Sequence, residues 1–361
     1  MKFLLIFKNF FRNYKTVIII VVAVRILLLL STFTQNPQTI SDFFEKWSHW
    51  DGYRYTAIAE YGYKLDGGRN ITWYPFYPLL IKMVSYTTNN FFVAGVVLSI
   101  FFSFVASIFL YKLIKIDFDN EVAIKSVWFL NIFPTAYFFQ TTYSESLYLT
   151  LVLGSIYLIR RGKLLESGFW GLLTNITRPY GLTLIPVLMF EAKNKLQNLS
   201  AKSVSKILLI ALIATFGFIF YLALNYHLFE NHFHFLKIHE EFHSKRLAWP
   251  HVGISGLISV LRADPIYTYP EILAIILAIA ALPFVYFKIR KSYALYMFLN
   301  LILFTSTSYI IGTPRYLLVV FPIFILLGKI KNKILFTLIS IGSCGLLIFY
   351  SQLFLQHKWA F

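Results

Sequence analysis

Nine apolar runs constrain this chain more than any other feature, at residues 16–34, 91–113, 121–139, 144–159, 206–224, 270–287, 292–311, 315–328 and 334–354. A helix needs roughly 20 apolar residues to cross the hydrocarbon of a bilayer, and these runs lie near that length. The stretch 165–190 is too short for two crossings and reads as a hairpin of half-helices. With 58% hydrophobic and only 14% charged residues over 361 positions, a soluble globule is excluded. The expectation is an all-α polytopic membrane protein of about 9–11 transmembrane helices, spanning 1–361 as one domain.

A net charge of +17 could signal a nucleic-acid partner, so it has to be tested against topology. If the N-terminus is cytoplasmic, the loops on that side carry 20 of the 33 basic residues and five acids, Asp117, Asp119, Glu121, Glu166 and Glu191. The other side holds 12 basic and 11 acidic residues, and Arg25 lies inside the first span. The positive-inside rule accounts for the excess, leaving the lipid bilayer as a partner and no role for nucleic acid. MKFLLIFKNFFRNYK at the start is broken by Lys8 and Arg12 and lacks a small-residue cleavage site. It is expected to be an interfacial helix. Arg25 is expected to be paired or snorkelling, and the single Cys344 excludes an internal disulfide or a cysteine-ligated metal.

Two long outer segments follow from this topology, 35–90 and 225–269, together with short outer turns at 140–145, 176–181 and 312–316. From Ser41 to Tyr63 the first segment can form one interfacial amphipathic helix, with Phe43, Phe44, Trp47, Trp50, Tyr55 and Ile58 toward lipid or core. Asp42 and Glu45 have two readings, solvation of such a helix or supporting acids. Asp51, between Trp50 and Gly52, has little structural reason to be there and is the first candidate for chemistry.

Each short turn carries one ionisable group: Glu145 in TTYSES, Arg178 in TRPYG and Arg315 in GTPRY. An arginine fork suits phosphate oxygens and stays charged in a low-dielectric site. Two arginines and a carboxylate on one face suggest a lipid phosphate held beside a general base, and the plain structural alternative is an internal Glu145–Arg ion pair. In the second segment HEEFH, at His239 to His243, matches the H-E-x-x-H pattern of zinc hydrolases, with His232, His234 and His251 as possible third ligands. Binding of an acceptor, or simple packing, is the stronger reading of these histidines.

HWDGYRYTAIAEYGY (His49–Tyr63), WYPFYPLL (Trp73–Leu80), TTYSESLYL (Thr141–Leu149), TRPYGL (Thr177–Leu182) and PRYLLVVFP (Pro314–Pro322) occur in that order. This pattern resembles the GPI mannosyltransferase II (PIG-V) family of GT-C membrane glycosyltransferases, including its prokaryotic members. The resemblance implies a GT-C-like bundle in the cell membrane that transfers a sugar, with mannose the first choice, from a polyprenyl-phosphate carrier to a glycan or lipid-linked acceptor on the extracytoplasmic face. It carries the catalytic role to Asp51. On physical grounds Asp51 would then serve as general base of an inverting displacement, with Arg178, Arg315 and Arg246 as the candidates to hold the leaving phosphate. The matching stretches place His49, Trp50, Tyr53, Arg54, Trp73, Tyr74, Tyr143, Glu145, Tyr180 and Tyr316 in the expected substrate-binding set. Interface anchoring is the commoner reason for Trp and Tyr at such depths. In place of a D-x-D or E-x-D pair the chain has Asp42, Glu45 and Asp51 at wider spacing, so no cofactor is assigned and a divalent metal stays open. A transporter or flippase of lipid-linked sugars is the alternative, although no inverted repeat is visible.

Overall fold

A computed structural model describes residues 2–197, 200–261 and 265–361, and among them the regular structure is helical, with a single isolated bridge between Leu247 and Thr307. The first half runs α1 (Lys2–Ser31), α2 (Ile40–Glu45), α3 (Asp51–Tyr61), α4 (Phe76–Thr88), α5 (Phe91–Ile114), α6 (Asn120–Ile132), α7 (Glu145–Arg160) and α8 (Leu164–Asn175). The second half runs α9 (Leu184–Leu196), α10 (Ala201–Phe229), α11 (His234–His243), α12 (Pro250–Leu261), α13 (Pro265–Lys288), α14 (Lys291–Thr305), α15 (Thr313–Leu317), α16 (Pro322–Gly328) and α17 (Lys333–Leu355).

Polar caps set where the long helices begin. Asn90 accepts from the Val93 N–H at 3.0 Å, Asp119 from Val122 at 2.9 Å and Asn332 from Leu335 at 3.1 Å, each satisfying a first-turn donor. Among the described residues five segments are long and apolar enough to cross a membrane: Phe11–Gln35, Phe91–Ile114, Ala201–Phe229, Thr268–Lys288 and Lys333–Leu355. Their outward faces, such as Leu208, Leu212 and Phe220 on α10 or Leu273 and Leu277 on α13, are exposed as a lipid-facing surface would be.

The remaining apolar runs give helices of 16 residues or fewer. The run 121–139 stops as a helix at Ile132, before Phe133-Pro134, and 315–328 divides between α15 and α16. Runs 144–159 and 292–311 give α7, of 16 residues, and α14, of 15. These pieces are enclosed by other helices, where backbone can bend because protein groups satisfy it. The hairpin at 165–190 is α8 and α9, joined by a turn at 176–183. No break separates an interfacial piece from the first span, since α1 is one helix of 30 residues.

α7 is the axis of the interior. Every residue from Glu145 to Ile156 is buried, and the helix packs against α5, α8 and α9. Arg25 reaches inward from α1, and its Nη1 donates to the Ala136 carbonyl at 2.8 Å while Nη2 donates to that of Asn131 at 3.3 Å. Its charge therefore braces the interrupted backbone leading into α7, and no acid among the described residues pairs with it.

Candidate active site

The expected helix from Ser41 to Tyr63 is broken at residues 46–50, and the break is what creates the site. Trp47 is buried and donates its indole N–H to Thr32 Oγ1 at 2.8 Å. Its carbonyl accepts from the Thr142 N–H at 2.9 Å, and Ser48 Oγ lies 2.6 Å from Thr142 Oγ1. Thr142 comes this close because Gly95 of α5 has no side chain: a Cβ there would stand 2.2 Å from Thr142 Cγ2. These ties outweigh helix continuation, and Trp50 is left at φ +57°, a strained conformation for a bulky residue. Asp51 then begins α3, its N–H donating to the Tyr143 hydroxyl at 3.2 Å, while that hydroxyl donates to the His49 carbonyl at 2.9 Å.

The ionisable groups of the three short turns meet here. Glu145, 1% exposed at the first residue of α7, receives Arg178 Nη1 on Oε1 at 2.6 Å and Arg315 Nε on the same oxygen. Arg315 Nη1 continues to Asp51 Oδ2 at 2.8 Å. The guanidinium of Arg315 also lies over the Tyr143 ring at 4.4 Å and over Phe138 at 5.0 Å. The internal Glu145–Arg pairing is thus present, but in an open form. Glu145 Oε2 and Asp51 Oδ1 take no partner among the described residues, and Arg178 commits only one of its nitrogens.

A cavity of about 710 Å³ lies over this network, within the size range of small-molecule sites. Asp51, Arg178 and Arg315 line it, with Trp50, Trp73, Tyr74, Tyr143, Tyr180, Tyr316 and Arg246 from the sequence-derived set. Glu145 sits behind the two arginines. Tyr55, expected toward lipid or core, also lines it, as do Lys245, Tyr309, Trp359 and Phe361, which the sequence reading did not single out. The aromatic content of the tail was the only available signal.

Other expected residues lie elsewhere. Asp42 accepts from the Gln38 N–H at 2.9 Å and pairs with Lys46 at 3.3 Å, and Glu45 accepts from the Tyr53 hydroxyl at 3.1 Å. Neither acid lines the cavity. Tyr53 and Arg54 face a second hollow of about 530 Å³ on the other side of Trp50. His49 is buried and stacks on His357 with ring centroids 4.4 Å apart. Burial first, and then the charge of His357, push its pKa down to about 4, so it is neutral near pH 7.

The HEEFH histidines both line the cavity, with centroids 5.4 Å apart. Burial, then His243 and Lys245, lower His239 to about 4; burial also lowers His243, with Asp51 opposing. The third ligand of a zinc site does not form: His232 stacks on Tyr226, His234 on Phe229, and His251 is exposed. Glu240 turns to Arg246 at 3.9 Å, and no cluster of three or more His, Cys, Asp or Glu occurs among the described residues.

Long apolar helices and a charged, aromatic-walled cavity define a multi-pass membrane protein with a candidate site within its fold. Residues 23–269, more than half of the chain, match the family model described as Mannosyltransferase (PIG-V), and the chain belongs to that family. It is accordingly a membrane glycosyltransferase, acting on a sugar donor and an acceptor. The matched region takes in Asp51, Glu145 and Arg178, while Arg315 lies beyond it. No curated protein matches the chain.

Proposed function

We propose that the enzyme transfers a mannosyl group from a polyprenyl-phosphate carrier to a hydroxyl of a glycan or lipid-linked acceptor, with inversion, in the cavity over Asp51. The observation that carries this reading is the convergence of Asp51, at the start of α3, with Arg178 and Arg315, from two separate turns, on one cavity. The acceptor oxygen attacks the anomeric carbon, its proton passes to Asp51, and the bond from that carbon to the phosphate oxygen breaks. The electron pair leaves on the polyprenyl phosphate. Arg315 orients Asp51 through Oδ2 and leaves Oδ1 for the proton, a general-base contribution of about 10²- to 10⁴-fold. The uncommitted donors of Arg178 and Arg315 neutralise the departing phosphate, and Glu145 holds both cations in place without facing the substrate. Trp73 and Trp50 offer aromatic faces to sugar or prenyl chain.

The face is extracytoplasmic and the N-terminus cytoplasmic in this reading, because the basic residues Lys125, Arg160, Arg290 and Lys329 gather around the other end of α7. Family membership favours transfer over transport, and the missing third ligand disfavours the hydrolase. The test is purified enzyme in liposomes given labelled polyprenyl-phosphate mannose and an extract of candidate acceptors. Wild type should move label to acceptor, and an Arg178→Ala, Arg315→Ala double variant that stays folded should not. Transfer from a nucleotide sugar alone, with none from the lipid phosphate, would contradict the donor assignment.

A further inference from the structure

The GTPRY turn carries Arg315 on α15, five residues long, too short to hold its own orientation. Something else must fix it. Glu271 stands on α13 among apolar residues at 3% exposure, a place where a carboxylate is costly unless satisfied. Among the described residues no cation lies within ion-pair distance of it, and Lys245 acts on it only through space. Its Oε1 accepts from the Gly312 N–H and its Oε2 from the Thr313 N–H, both at 2.6 Å. Residue 314 is proline and has no N–H to offer, so Glu271 takes both donors available at the front of the turn. Gly312 adopts φ +83°, the left-handed conformation that admits this geometry without strain. From the other side Thr135 Oγ1 donates to the Pro314 carbonyl at 2.9 Å.

We infer that Glu271 is a positioning residue for the transfer reaction: it clamps the Gly312–Thr313 backbone so that Arg315 reaches Asp51 and Glu145. The clamp depends on a carboxylate with both oxygens accepting. A glutamine of the same shape would turn an N–H toward a backbone N–H, losing one bond and adding a donor–donor clash. An aspartate keeps both oxygens but shortens the reach. Loosening the turn displaces the guanidinium, and ångström-scale misplacement at a reacting centre can cost about 100-fold in rate. The clamp acts through Arg315 and so rests on the role proposed for that arginine.

The test is kinetic, on full-length enzyme in liposomes, with folded protein quantified by monodisperse elution and thermal midpoint. Glu271→Gln should lower kcat per folded molecule by roughly 10- to 100-fold, with a smaller change in donor KM, and Glu271→Asp should recover part of it. In an Arg315→Lys background the same Glu271→Gln change should cost less than threefold, because the group it positions is already altered. Full kcat per folded Glu271→Gln molecule, or a loss that multiplies independently with Arg315→Lys, would overturn the clamp. Should Glu271→Gln fail to fold, Thr135→Val, which removes the opposite tie on Pro314, must show the same kcat loss and the same non-additivity. Full activity of Arg315→Ala would instead defeat the reading of Arg315 itself, a result distinguishable from failure of the clamp.

Discussion

The two ends of α7 carry two ion networks, and they are built in opposite ways. Glu145 and Arg160 are separated by 15 residues, about 22 Å at the helical rise. At the far end everything is saturated. Arg160 forks onto Asp117 with both bonds at 2.6 Å, and Glu191 receives Arg290 on both oxygens, at 2.5 and 2.7 Å, and the Ser292 hydroxyl as well. At the cavity end the same residue types are arranged with capacity left over: one oxygen of Asp51 and most of the Arg178 fork remain uncommitted beside the cavity, while one buried oxygen of Glu145 stays unpaired behind them. Saturated pairs lock loops, whereas partly committed pairs beside a cavity leave charge for a substrate. A buried ion cluster therefore has to be judged by what it leaves unpaired.

The largest expected effect that could break this comparison is at Arg315. Arg315→Ala leaves Asp51 unoriented and removes a phosphate contact, so transfer should fall by about 100-fold or more, measured per folded molecule in liposomes. At the far end Glu191→Ala should act on stability. Removing buried Glu191 leaves the half-buried Arg290 and the buried Ser292 without their partner and should cost about 1–3 kcal/mol in unfolding experiments, with kcat of the surviving enzyme within a factor of a few. Arg178→Lys would sharpen the account of the cavity end. It keeps the charge on Glu145 but loses the fork, and should raise donor KM about tenfold with a smaller change in kcat.

The smallest effect concerns pH. His239, held near 4 when folded, has an ordinary value of 6.5 when unfolded, so between those values the unfolded chain binds more protons. Its contribution to stability is present above about pH 6.5 and is lost as pH falls toward 4. The thermal midpoint of wild type should drop over that window, and His239→Phe should show a shallower drop. An identical slope in the variant would remove His239 from the account.

The long apolar helices were legible because hydropathy is local: 91–113 became Phe91–Ile114, and 334–354 became Lys333–Leu355. Legible too were the ionisable residues of the three turns, since a charge interrupting an apolar chain is visible without neighbours. Their partners were not. That Arg315 bridges Asp51 and Glu145 depends on residues 264 and 170 positions apart. The break before Asp51 was hidden because amphipathic periodicity runs smoothly through Trp50; what breaks the helix is Thr142, held close by a glycine on a third segment. Glu271 was invisible for the opposite reason, as one acid inside an apolar run whose partners are backbone N–H groups that sequence does not distinguish. Asp117 and Glu191 were counted only as loop charges, although each closes a lock.

One matched pair of variants tests the contrast most directly. Asp51 and Asp117 are both aspartates paired to an arginine, at 2.8 and 2.6 Å, one at each end of α7. Transfer of labelled mannose from polyprenyl phosphate, normalised to folded enzyme, should fall by about 100-fold or more in Asp51→Asn, as expected for loss of a general base. Asp117→Asn should retain turnover within about threefold of wild type, as expected of a surface-side strut. Comparable losses in the two variants, or full turnover in Asp51→Asn, would contradict the assignment of chemistry to the cavity end.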